Sequence, residues 1–161
     1  KDVGTIDSLW DANMDMLSPE NGIDLYYTEW PIFARTPTKP PHYTGANAHV
    51  SHSMITGGCV VHGDVENSVL FHSVTVEPGA KVRYSILMPG TVVKAGAVVE
   101  YSIIAENTTI GAYAQVGAPP SDTAPEDWGI AVVAQGLTVG DHAVVAPKAM
   151  ITSDVKGGAV K

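Results

Sequence analysis

The sequence holds a single cysteine, Cys59, and only nine lysines and arginines against seventeen aspartates and glutamates in 161 residues. A lone cysteine excludes an intramolecular disulfide and suits a reducing compartment. The formal net charge of -8, with its few cations spread along the chain, disfavours nucleic acid and anionic lipid as partners. No eighteen apolar residues run together and no charged-then-apolar leader is visible. Neither a membrane span nor a secretory signal is therefore expected, and the cytoplasm is the expected location. Also missing are a GxxxxGK phosphate loop, a GxSxG elbow and a paired-carboxylate motif, so this stretch is expected to carry no complete active site of its own.

What the sequence does have is a repeat. Val65-Glu66-Asn67-Ser68-Val69-Leu70 returns seventeen residues later as Val82-Arg83-Tyr84-Ser85-Ile86-Leu87, and again as Val99-Glu100-Tyr101-Ser102-Ile103-Ile104. Between these copies a second series keeps the same period, from Val76-Glu77-Pro78-Gly79-Ala80 through Val93-Lys94-Ala95-Gly96-Ala97 to Ile110-Gly111-Ala112-Tyr113-Ala114. Within each period the branched residues fall about six apart, and Val133, Val139, Val145 and Ile151 keep that step strictly. Such spacing divides each turn of a solenoid into three short rungs joined by corners. Rungs this short cannot bury a face alone, so successive coils about 4.8 Å apart must pair their backbones and stack equivalent side chains into columns of Val, Ile and Leu.

The coils are expected from 45 to 161, with Ser53-Met54-Ile55 anticipating Ser68-Val69-Leu70 at a shorter step of fifteen. Residues 117–129, with three prolines, interrupt the period and read as an inserted loop whose Trp128 packs back on the coils. Ahead of the repeat, residues 5–17 read as an amphipathic helix capped by Thr5, with Ile6, Leu9, Trp10, Asn13, Met14 and Leu17 on one face. Its stripe needs a surface, either the side of the solenoid or a portion of the protein outside this sequence. Residues 18–44 form an extended, proline-rich connector. Its Leu25, Tyr26, Tyr27, Trp30, Ile32 and Phe33 are apolar enough to imply that it lies along another surface.

Candidate sites are few. His49 and His52, with His62 and His72 in the next coils, lack the Cys or carboxylate partners of a metal site. A corner histidine, His62, His72 or His142, is the type of general base that a hexapeptide acyltransferase would use with acetyl-CoA. Lys81, Lys94 and Lys148 would bind an anion only if they converge. Glu66, Arg83 and Glu100 share one place in successive coils and predict an alternating-charge ladder that holds register. Cys59, beside Val60 and Val61 in a repeat segment, reads as a small core residue.

Asp2-Val3-Gly4-Thr5-Ile6-Asp7-Ser8-Leu9-Trp10-Asp11-Ala12-Asn13-Met14-Asp15-Met16-Leu17 closely resembles the end of the catalytic domain of bacterial ADP-glucose pyrophosphorylases (glucose-1-phosphate adenylyltransferases). Trp30-Pro31-Ile32 with Pro40-Pro41 is similar to that family's connector, and Gly58-Cys59-Val60-Val61-His62-Gly63-Asp64 to its first coils. The resemblance implies a mainly β fold, a left-handed parallel β-helix, in which 1–17 close an N-terminal nucleotidyltransferase domain lying outside this sequence. It also implies an oligomerisation and regulatory role within a homotetramer, with sugar phosphates or AMP as effectors. The intact enzyme would make ADP-glucose and pyrophosphate from ATP and glucose 1-phosphate with Mg²⁺, and this piece alone would be inactive. Asp2 matches the family's metal-binding carboxylate, whereas Val98-Val99-Glu100-Tyr101 lacks arginines that some relatives carry in this coil. A noncatalytic regulatory homologue of that enzyme and a hexapeptide acyltransferase are the alternative readings.

Overall fold

A computed structural model describes residues 2–18, 20, 24–33, 37–120 and 128–161. Among these residues eighteen short strands wind into three parallel six-stranded sheets, forming a left-handed β-helix of about six turns. Sheet A starts at Tyr43–Thr44 and ends at Thr138–Val139, sheet B runs from Val50–Ser51 to Val144–Val145, and sheet C from Met54–Ile55 to Met150–Ile151. Each strand pairs with its counterparts in the coils before and after, as the repeat demands.

The seventeen-residue register is observed directly. Val65 lies opposite Val82, Val82 opposite Val99, and Val99 opposite Val116. The shorter first step also holds, since Met54 and Ile55 pair with Val69 and Leu70. Val133, Val139 and Val145 fall on sheets C, A and B in turn and are fully or almost fully buried. The core is the expected set of aliphatic columns. Each fully buried Val, Leu or Ile contributes about 1.5–3 kcal/mol relative to exposure.

Corners carry a second order. At the turn from sheet B to sheet C, His52, Asn67, Tyr84 and Tyr101 all adopt left-handed backbone, with φ of 42°, 46°, 47° and 45°. The strain of each is offset by the serine that follows. The Oγ of Ser68, Ser85 and Ser102 donates to the carbonyl two residues earlier, at 2.7–2.8 Å, and the Oγ of Ser68 and Ser85 accepts from the next serine's backbone N–H at 3.1 and 3.2 Å. A buried serine ladder thus runs up this corner. It stops where Ala131 pairs with Ser102.

This same corner is interrupted in the fifth coil, between Gln115–Val116 of sheet B and Ala131–Val133 of sheet C. Of the expected loop, 121–127 lie outside the described residues. Gly117 begins it with φ +70°, its N–H donating to the Val145 carbonyl at 2.9 Å, and any Cβ there would run into the Glu100 carbonyl. Glycine is required by both the dihedral angle and the space.

The helix α1 spans Ile6–Asp15 and starts from a reciprocal cap: Ser8 N–H donates to Thr5 Oγ1 at 3.2 Å and Thr5 N–H to Ser8 Oγ at 3.0 Å. It ends two residues before the expected Leu17, because Met16 and Leu17 turn more tightly, donating to the Asn13 and Met14 carbonyls. In the connector, Trp30 is 83% and Phe33 90% exposed. Among the described residues nothing covers them.

Candidate functional site at the helix-docking corner

Sheet C is apolar on both sides. Leu70, Leu87 and Ile104 point into the solenoid, whereas Ile86 and Ile103 form a separate buried cluster outside it with Ile130. Ile6, Leu9, Trp10 and Met14 of α1 close that cluster. The outer face of sheet B instead presents Asp64 and Glu66, Lys81 and Arg83. Consecutive large apolar pairs such as Ile86-Leu87 and Ile103-Ile104 were the signal for a sheet buried on both faces. Of the two surfaces open to the helix stripe, the solenoid is the one it covers. A helix of ten residues is marginal alone, so its order derives from this docking.

At the rim of the docking face the B–C corner provides an aromatic stack. Tyr84 and Tyr101 lie parallel with centroids 4.7 Å apart, Trp10 stacks on Tyr101 at 6.0 Å, and Trp128 meets Tyr101 edge-on at 5.4 Å. Trp10 Nε1 donates to the Tyr84 carbonyl and Trp128 Nε1 to the Ala118 carbonyl, both at 2.8 Å. Burial pushes the Tyr101 hydroxyl up from its ordinary pKa, with Tyr84 and Glu100 adding to the effect. Trp128 packs on the coils as its sequence context suggested. The corner tyrosines were not singled out from sequence, although their recurrence before Ser85 and Ser102 was in view.

The other sequence candidates do not gather into one site. Asp2 is exposed just ahead of α1. Among the described residues no three His, Cys, Asp or Glu side chains come together as metal ligands. His62 and His142 lie at A–B corners, edge-on to Tyr43 and stacked on Tyr113 respectively, while His72 sits at a C–A corner beside Ser73. His52 bonds Asn67 Oδ1 at 2.7 Å, and His49 lines a shallow groove on sheet B with Asp64 and Glu66. Lys81 is on a sheet B strand, Lys94 follows a sheet A strand, and Lys148 lies at a B–C corner, so these three share no pocket. The charge ladder is present, with Arg83 3.6 Å from Glu66 and 3.0 Å from Glu100. Cys59 is buried, its Sγ donating to the Phe71 carbonyl at 3.0 Å. What the arrangement provides is a rigid surface that holds a helix.

Residues 37–140 match the family model described as GlmU-like, C-terminal hexapeptide. The chain belongs to this family. Its similar relatives include glucose-1-phosphate adenylyltransferases, as the sequence resemblance indicated. That of Clostridium beijerinckii is 51% identical over 85 residues, covering 53% of this chain and 22% of its own length. That of Clostridium novyi is 53% identical over 76 residues, covering 47% and 20%. The chain thus spans about a fifth of the length of these relatives. A perosamine N-acetyltransferase of Caulobacter crescentus, solved with CoA and GDP-perosamine, superposes with a TM-score of 0.50 over 75% of this chain and 50% of that one. At 15% identity this GlmU-like chain shares its fold alone.

Proposed function

We propose that this chain is the C-terminal β-helix of a glucose-1-phosphate adenylyltransferase, serving assembly and regulation of a nucleotidyltransferase domain and performing no chemistry by itself. The observation that carries the reading is 51% identity over 85 residues to an enzyme of that name. The docked helix supports it: an element that precedes the solenoid in the chain is clamped on it by an apolar face.

In the intact enzyme the phosphate oxygen of glucose 1-phosphate attacks the α-phosphorus of ATP, forming ADP-glucose as pyrophosphate leaves. Mg²⁺, when bound, neutralises phosphate charge. The residues described here do not make a site for it, because Asp2 is an isolated exposed carboxylate and no cluster of three donors exists among them. Asp2 as one ligand of a fuller set in the intact enzyme belongs to the proposal, as do the cytoplasmic location, the homotetramer and effectors of the sugar-phosphate or AMP kind.

The test offers ATP and glucose 1-phosphate to the full-length gene product and to this chain alone. Pyrophosphate release by the former and none by the latter is expected. No release by the full-length protein, preference for another nucleoside triphosphate, or cleavage of acetyl-CoA by the purified chain overturns the reading.

A further inference from the structure

We propose that residues 24–33 are a docking pad for the nucleotidyltransferase domain of the intact protein, which seats an apolar side chain beside Tyr27 and Trp30 and turns basic groups toward Asp24 and Glu29. The inference rests on the reading above, under which such a domain precedes this chain, and it names the surface that the domain touches.

All ten residues from 24 to 33 are exposed, and six of them, Leu25, Tyr26, Tyr27, Trp30, Ile32 and Phe33, are large and apolar. Single exposed apolar side chains are ordinary, whereas a contiguous run of them marks a surface that something covers. The segment has a shape of its own. Tyr27 N–H donates to the Asp24 carbonyl at 3.3 Å and Tyr26 N–H to Asp24 Oδ1 at 2.8 Å, which closes a turn. The Tyr27 hydroxyl donates to Glu29 Oε2 at 3.0 Å. An open cup of about 520 Å³ lies between Asp24, Tyr27, Trp30, Pro31 and Ile32, walled mainly by rings and aliphatic carbon.

Charge and position choose the occupant. The segment carries two carboxylates and no Lys, Arg or His, in a chain of net charge -8. An isologous pairing of two copies through this pad sets its carboxylates against one another, whereas a surface with basic groups complements them. Tyr26 shares a groove with Met16 and Leu17, just past α1, and with Val50, His52 and Met54 of the first coil. The ten residues of α1 cover only about 15 Å, and the helix is fixed on the solenoid. A domain of roughly 200 residues joined ahead of it has a radius of gyration of about 16 Å and reaches past the helix to the pad. The chain accounts for about a fifth of its relatives' length, which leaves room for a domain of that size.

The test is hydroxyl-radical footprinting, read by mass spectrometry, of the full-length gene product and of this chain, each with the same free peptide as a standard. Trp30 and Phe33 are expected to oxidise about fivefold more slowly in the full-length protein, because a packed contact excludes water. Equal rates in the two proteins overturn the proposal. So does protection that disappears on dilution, which would mean that a second copy is the cover. Asp24→Lys combined with Glu29→Lys in the full-length protein should return Trp30 most of the way to its rate in this chain, and unchanged protection would sink the basic character of the docking surface. Pyrophosphate release from ATP and glucose 1-phosphate is scored on the same full-length sample. Release with Trp30 unprotected removes this inference alone, whereas protection without release removes the adenylyltransferase reading and, with it, the identity of the docked domain.

Discussion

The indole of Trp10 reaches across seventy-four positions of sequence to donate its N–H to the Tyr84 carbonyl at 2.8 Å. That carbonyl belongs to a left-handed corner residue, and the bond lets the outer wall of the solenoid recognise one side chain of α1.

Trp10→Phe keeps the stacking surface and removes the bond, and should weaken docking by about 1 kcal/mol. Trp10→Ala removes both. Since Trp10 is only partly buried, the expected loss is roughly 1–3 kcal/mol, below the ~3–5 kcal/mol of a fully buried tryptophan. Among the described residues α1 is the α-helix of the molecule, so far-ultraviolet circular dichroism reads its undocking directly. Helical signal lost before the β signal on heating Trp10→Ala is the expected result. Coincident melting of both in wild type and variant would show that the solenoid does not hold the helix through this residue.

The serine ladder makes a sharper case, because Ser68, Ser85 and Ser102 are wholly buried. Ser85→Ala leaves the Ser102 N–H without its oxygen partner and the Arg83 carbonyl without its hydroxyl donor. An unsatisfied buried donor costs about 1–3 kcal/mol, so the variant should melt well below wild type. Ser53→Ala, at the exposed end of the ladder, should cost less. Equal melting temperatures for the two variants would contradict the ladder as a stabilising unit.

How far the sequence could be read depended on period. Val65, Val82 and Val99 announced their stacking because parallel coils of constant length put equivalent residues in register, and Glu66, Arg83 and Glu100 followed by the same rule. The bed of α1 was harder to see. Ile86 and Leu87 look alike in sequence, and only their alternation on a strand sends one inside and the other under the helix. Trp10 was legible as part of a stripe, yet its carbonyl partner was not, since side-chain bonds to backbone leave no compositional trace. Asp2 came from resemblance alone and lies apart from any cluster that spacing within the described residues could have revealed.

Arg83 stands between two carboxylates and is itself partly exposed, so its pairs should each be worth about 0–1 kcal/mol. Arg83→Met is expected to lower stability only slightly. Arg83→Glu sets three carboxylates in one column at the spacing of adjacent coils, and should cost clearly more at low salt. Screening acts on exposed charges at about 10 Å in 0.1 M salt, so added salt should recover much of the difference. The check is melting temperature against sodium chloride for both variants. Parallel salt curves would mean that the column is structurally idle.

Cys59 gives the pH prediction. Its thiol is almost fully enclosed, and burial pushes its pKa up more than the surrounding backbone hydrogen bonds pull it down. In the unfolded chain a cysteine loses its proton near its ordinary pKa of about 8.5, whereas the folded chain retains it to higher pH. The group's contribution is therefore intact below that value and declines as pH rises through the folded pKa, because only the unfolded state gains from ionising. Urea midpoints for wild type and Cys59→Ala at about pH 7 and about pH 10 separate this effect from the lysines and tyrosines common to both chains. Wild type should lose more stability across that interval than the variant. Equal losses would mean that the thiol ionises as readily in the fold as outside it, and rapid thiol labelling of the native protein at neutral pH would say the same.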